Sequence, residues 1–173
     1  ETGEYNVLYV RRHISRQVDV ITLVHRVQGL IVAPENPFDV SSIQDLLKAH
    51  LRFVNRQRGS GTRVLLDHEL ARLGIEPDGI SGYGREEFTH LAVAAAVSAG
   101  RADVGLGIQS AARAFGLDFV PLLKERYDLV FPSDQVQERP VADVIEAIRS
   151  PDFKARVADL GGYDTGETGV VIE

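Results

Sequence analysis

Cysteine, methionine and tryptophan are all absent from the 173 residues. Without cysteine there is no disulfide framework and no thiolate chemistry, a composition that fits the cytoplasm. Methionine is missing even at position 1, so the chain is expected to be a piece of a longer one, with residues 1–6 as the middle of a loop. No apolar run approaches the roughly 20 residues that span a bilayer. The opening residues "ETGEYNVLYVRRH" carry no secretory signal. A broad basic excess is lacking too: the formal charge is −6, which argues against direct nucleic-acid binding by this domain. No internal repeat or low-complexity tract is visible.

What is present is ordinary for a globular protein, with 44% apolar and 25% charged residues, enough for one compact domain or two small lobes. Residues 18–24 and 29–34 are rich in β-branched and apolar side chains and read as strands. "PENP" then supplies a turn or crossover. Ser41 or Ser42 caps an expected helix through residue 49. Residues 51–55, "LRFVN", alternate as a strand, and a helix follows over 63–73 with Leu65, Leu66, Leu70 and Leu73 on one face and Gly74 as its stop. A helix over 86–99, a strand over 102–108, the helix "QSAARAFG", the strands "LDFVPLL" and "YDLVFP", and helices over 141–149 and 152–160 precede a Gly- and Thr-rich tail. Strands alternating with helices predict an α/β architecture with largely parallel sheets. Gly105 and Gly107 read as sites of close backbone packing.

One window reverses the sign of the chain. From Arg52 to Arg63, "RFVNRQRGSGTR" holds four arginines and no acid. A strand that ends in a Gly-rich turn and opens a helix leaves the first amide groups of that helix without internal partners, at the positive end of its dipole. Ser60, Gly61 and Thr62 are placed to grip an oxyanion there, and Arg56 and Arg63 offer planar forks of donors. The competing reading is that Ser60 or Thr62 only caps the helix while the arginines are solvated. Neither better-known phosphate loop fits. Thr62 and Arg63 follow Gly61, where a Walker loop has Lys before Ser or Thr, and a dinucleotide fingerprint needs three glycines at wider spacing.

Other residues carry weaker signals. Thr89 and His90 stand where the second helix turns apolar, so His90 is a donor candidate for the same anion. Glu86 and His90, four apart, suit one helix face as metal ligands do, but no third ligand stands at a recognisable spacing and no metal is expected. Asp67, His68 and Ser60 raise the question of a hydrolase triad. Adjacent helix positions point in different directions, and "RGSGT" is not G-x-S-x-G, so no catalytic residue is expected. Tyr127 is a candidate lining residue, with packing as its alternative.

The segments "GLIVAPENP", "FVNRQRGSGTRVLLDHEL", "EEFTHLAVAAAVSAGRADVGLGI", "ERYDLVFP" and "GYDTGETG" make the chain resemble the type II periplasmic-binding-protein superfamily. More closely, it resembles the binding-protein-like domain fused to molybdopterin-biosynthesis (molybdotransferase-type) proteins or to helix-turn-helix regulators. The resemblance implies an α/β, two-lobed type II periplasmic-binding-protein-like fold, N-terminally incomplete, with the first strand–helix units of one lobe upstream of Glu1. It implies residues 1–37 as the remnant of lobe I and a crossover, 38–126 as lobe II with the Gly-Ser-Gly-Thr loop, and 127–173 as the return to lobe I. By that comparison Arg56, Ser60, Gly61 and Thr62 bind ligand, with Arg63, Thr89, His90 and Tyr127 as further candidates. The expected ligand is a small oxyanion, molybdate or tungstate before phosphate or sulfate, with no cofactor and no catalysis. Its expected mechanism is lobe closure, read by a fused or partner helix-turn-helix or molybdotransferase domain in the cytoplasm, with a homodimer as a further candidate state. The alternative is a protein interaction or assembly module that has lost small-molecule binding.

Overall fold

The structure is a computed structural model that describes residues 6–173. Its elements are α1 (Asn6–His13), β1 (Val18–Val32), a 3-10 turn (Ile43–Leu47), β2 (Phe53–Arg56), α2 (Gly61–Leu73), β3 (Glu86–Glu87), α3 (His90–Ser98), β4 (Val104–Ile108), α4 (Gln109–Ala114), β5 (Asp118–Pro132), α5 (Val141–Arg149), α6 (Pro151–Leu160) and β6 (Tyr163–Asp164). The chain forms two compact units: Val27–Leu123, and the residues up to Arg26 together with Lys124–Glu173. It passes between them twice, inside β1 and inside β5. The sequence reading drew the boundaries at residues 37 and 126.

In the unit Val27–Leu123, β2 lies parallel to β3, with Asn55 opposite Glu86 and Arg56 opposite Glu87, and parallel to β4, with Phe53 opposite Val104. β1 runs antiparallel to β4, from Gln28 opposite Ile108 to Val32 opposite Val104. The expected parallel arrangement therefore holds for β2, β3 and β4 and gives way at β1. That strand enters from the other unit, so no helical crossover sets its direction. β4 is buried along its whole length. Leu66 and Leu70 of α2 and Leu46 of the 3-10 turn join Leu30, Phe53 and Leu106 in one apolar cluster.

The helix expected through residue 49 is only the 3-10 turn. One carboxylate oxygen of Asp45 accepts from the N–H and Oγ of Ser41 at 2.8 and 3.0 Å and from those of Ser42 at 2.9 and 3.0 Å. Its other oxygen pairs with Lys48 Nζ at 3.0 Å. Lys48 also donates to the carbonyls of Phe38 and Asp39, and its own backbone is extended, which ends the turn.

In the other unit, Ile21 of β1 packs with Ile145 and Ile148 of α5. β6 pairs antiparallel with β1 at His25 and Arg26. The Gly- and Thr-rich tail is bound as well: Val20 N–H donates to Glu173 O at 2.8 Å, Thr22 N–H to Val170 O at 2.9 Å, and Ile172 N–H to Val20 O at 2.8 Å.

Four short strands were expected where there are two of 15 residues each, β1 and β5. Residues 25–28, polar except for Val27, and the charged residues 124–126 read as breaks. Each set falls at a passage between units, where the extended backbone continues while side chains need not join an apolar cluster. No helix among the described residues is long and apolar enough to cross a membrane.

Two stability predictions follow from this packing. A Cβ at Gly105 would fall 2.4 Å from Val93 Cγ1 on α3 and 2.9 Å from Val54 Cγ1 on β2, and one at Gly107 would fall 2.7 Å from Ile31 Cδ1. Both glycines allow close packing, as read from the sequence. Gly105→Ala should lower unfolding free energy by about 1–3 kcal/mol, measured from the urea midpoint. Donation by the Ser41 backbone, with help from Lys48 and the serine hydroxyls, holds the Asp45 carboxyl well below the usual carboxylate range despite some burial. A depressed folded value stabilises above the unfolded value, about pH 4, and is lost as pH falls through the folded value. Asp45→Asn should therefore lower the urea midpoint at neutral pH, and its deficit relative to the parent should shrink as pH drops below about 4.

Candidate functional site

Because β2, β3 and β4 run parallel, their carboxyl ends share one edge of the sheet. α2, α3 and α4 each follow one of these strands and so begin at that edge. In open α/β sheets this is where ligands bind.

The turn between β2 and α2 is held from both sides. Gln57 N–H donates to Glu87 O at 3.1 Å, and Ser60 N–H and Oγ both donate to Gln57 O, at 3.2 and 2.9 Å. Gly59 takes a φ of 84°, a conformation that favours glycine. Ser60 Oγ accepts from Arg63 N–H at 3.3 Å, which makes it the cap of α2. Thr89 caps α3 in the same way, accepting from Ala92 N–H at 3.0 Å. Capping by Ser60, weighed from the sequence, is thus its observed role. Thr62 is buried in the first turn of α2.

Gly61, at the first position of α2, differs from the packing glycines. Its φ is not positive, and a Cβ built on it meets nothing within 4 Å. Neither backbone conformation nor packing requires glycine there.

Arg56, the last residue of β2, is buried at 8% exposure. Its N–H donates to Asn55 Oδ1 at 2.9 Å, and its Nη2 donates to the Phe88 carbonyl at 3.1 Å, one residue before the Thr89 cap. The guanidinium therefore ties the turn before α2 to the turn before α3.

The other arginines of the window meet carboxylates, all from distant segments except Asp67, which lies one turn beyond Arg63 in α2. Arg52 Nη2 lies 2.6 Å from Asp103 Oδ1, and this pairing lowers the Asp103 carboxyl below its ordinary value. Arg58 Nε is 3.7 Å from Glu86 Oε1. Arg63, with its side chain only 4% exposed, donates to Asp67 at 2.9 Å and to Glu86 at 3.0 Å. It also lies over the Tyr83 ring, 4.2 Å from the centroid. Burial opposes its charge, but Tyr83 and Asp67 outweigh that, and its proton is held more tightly than usual. Burial and the carboxylate of Asp67, 2.6 Å from the hydroxyl, push the Tyr83 phenol up.

The structure thus brings Arg56, Ser60, Gly61, Thr62, Arg63, Thr89 and His90 into one unit, and directs the Arg63 guanidinium toward Asp67, Glu86 and Tyr83. Tyr127 belongs to the other unit, half-exposed, with the Arg26 guanidinium 4.9 Å from its ring centroid. Glu86 and His90 do not share a helix face. Glu86 pairs in the strand β3, and α3 begins only at His90 because the ladder with Asn55 and Arg56 holds residues 86 and 87 extended. No group of three or more His, Cys, Asp or Glu suited to a metal occurs among the described residues. Sequence reasoning missed Asn55, Tyr83 and the bridging role of Glu86. Asn55 is fully buried and donates to Tyr83 O at 3.2 Å. No local pattern marks these residues, since their partners come from separate segments.

The chain matches the PBP superfamily domain over residues 1–149 and belongs to that family. It is a periplasmic-binding-protein-like ligand-binding domain of two-lobed α/β type. The uncharacterized protein YvgK of Bacillus subtilis (strain 168) is 42% identical over 173 residues, covering 99% of this chain and 56% of that protein. The chain therefore spans about half the length of that relative. Among solved structures, the CcmR regulatory domain of Synechocystis PCC6803 in complex with 2-PG is similar at a TM-score of 0.60 and 14% identity, over 78% of this chain and 67% of that one. A substrate-binding protein from Clostridium perfringens with bound phosphate is similar at a TM-score of 0.58 and 14% identity, over 83% and 70% of the two chains. At such identities the likeness is one of fold.

Arg63→Ala would leave Asp67 and Glu86 facing a buried void. Because both carboxylates retain solvent contact, the expected loss is about 1–3 kcal/mol of unfolding free energy, measured by urea denaturation.

Proposed function

We propose that the unit Val27–Leu123 binds a small tetrahedral oxyanion at the carboxyl edge of β2 and β3, and that the domain serves as the ligand-sensing part of a longer protein. Molybdate and tungstate lead the inorganic candidates, with phosphate and sulfate beside them. The observation that carries this reading is buried Arg56, whose guanidinium sits where the leading ends of two helices meet. The N–H groups of the first turn of α2, the hydroxyl of Thr89, and His90 at the start of α3 supply the remaining donors. Gly61 supports the reading, because an unforced glycine at the leading position of α2 leaves the approach to those N–H groups open. Phosphate, bound by the Clostridium perfringens protein, is an oxyanion of the same class.

The domain acts by binding rather than catalysis. Asp67, the acid nearest Ser60 in sequence, is held by Arg63 and Tyr83. A fused helix-turn-helix or molybdotransferase domain would read the bound state, and the greater length of YvgK is consistent with such an arrangement.

Calorimetric titration of the chain with molybdate, tungstate, phosphate and sulfate tests the proposal; absence of heat with all four overturns it. Arg56→Ala should weaken binding at least about tenfold, the scale of one hydrogen bond to a charged group. Gly61→Ala separates binding from folding. It should keep or raise the thermal midpoint, since alanine favours a helix by about 0.5–1 kcal/mol over glycine, and yet weaken the anion, because its methyl group occupies the approach.

A further inference from the structure

Phe88 stands immediately before the Thr89 cap. An apolar residue at that position commonly packs onto the fourth residue of the helix. Here the fourth residue, Val93, is fully buried, yet Phe88 keeps 73% of its surface exposed, the highest value of any exposed large hydrophobic among the described residues. Leu91, in the first turn of α3, is 54% exposed. Two apolar side chains therefore face solvent on either side of Thr89. The Phe88 backbone is held: its carbonyl accepts from Arg56 Nη2 at 3.1 Å, and the preceding residue pairs with Arg56 in the β2–β3 ladder. An exposed aromatic side chain on a backbone anchored to a buried guanidinium is suited to an apolar group carried on an anion.

We infer that the ligand is an organic ester of a tetrahedral oxyanion, whose acid group meets Arg56 and the first turn of α2 while its apolar body covers Phe88 and Leu91. A bare tetrahedral ion would leave both side chains in water. Covering roughly 60 Å² of apolar surface is enough for about tenfold tighter binding. Phe88 is then a specificity-determining residue. The inference rests on the oxyanion reading above, and its test is arranged to tell the two apart.

The full chain is titrated with two matched pairs, phosphate with phenyl phosphate and sulfate with phenyl sulfate, so that the two acid groups are distinguished. In the pair that binds, the phenyl ester should bind about tenfold more tightly than the bare ion. Phe88→Ala should bring the two within about twofold, leaving the affinity for the bare ion and the thermal midpoint unchanged, since the side chain lies mostly in solvent. Equal affinity for ester and ion in the parent chain, or a preference that survives Phe88→Ala, overturns the inference and leaves the oxyanion site standing. No binding of any of the four probes overturns the inference, and the oxyanion reading is then decided by the molybdate and tungstate titrations.

Discussion

The parallel ladder that joins β2 to β3 on one side and to β4 on the other is the constraint on which the candidate site depends. Its register sets Arg56 opposite Glu87 and Phe53 opposite Val104, so the strands end on a common edge and their helices start there. Each helix brings the positive end of its dipole and a set of N–H groups without internal partners. The ladder can close only because Gly105 lets β4 approach Val54 and Val93. A larger residue would push on the strand and helix that carry Arg56 and Thr89. Packing in the interior thus sets the spacing of polar groups at the rim.

Electrostatics reinforce that arrangement. Four arginines in one short window of an acidic chain look like an uncompensated patch. In the folded unit, Asp103, Glu86 and Asp67 approach three of them. A guanidinium as buried as that of Arg63 is tolerable because two carboxylates and the Tyr83 ring surround it. The same contacts connect the first turn of α2 to β3 through Glu86. A turn held by its own helix cap, by the ladder and by this ion-pair cluster loses little further freedom when it meets a ligand, which favours affinity.

The passages between units follow a related logic. β1 and β5 each serve apolar packing at both ends and polar contacts between them. In the unit containing the termini, Arg26 takes Glu125 and the Tyr127 ring as partners. An extended backbone can carry such a change of side-chain character without interruption, because its hydrogen bonds run to neighbouring strands rather than along its own chain.

Features that depend on neighbours within a few residues were legible in the sequence. Gly74 ends α2 in a left-handed conformation, Ser60 caps its start, and α5 covers residues 141–149 as the apolar spacing indicates. The Gly-Ser-Gly-Thr loop between a strand and a helix was legible for the same reason, and the α/β class from the alternation of strands and helices, whereas the two-lobed form came only from the family resemblance. Features that depend on distant partners were not. β1 and β5 run through polar stretches that look like breaks, and Glu86 and Glu87 are good helix formers that a ladder holds extended. Arg63 meets Glu86 from 23 residues away, and Arg52 meets Asp103 from 51. By itself, the sequence determined where helices begin and end and which residue types stand at the turn, because caps, turns and periodicity are local energies. Which carboxylates meet Arg52, Arg58 and Arg63, that Arg56 is buried between two helix ends, and which apolar side chains face water were decided only by tertiary structure, since charge compensation and burial are set by whatever segment folding brings alongside.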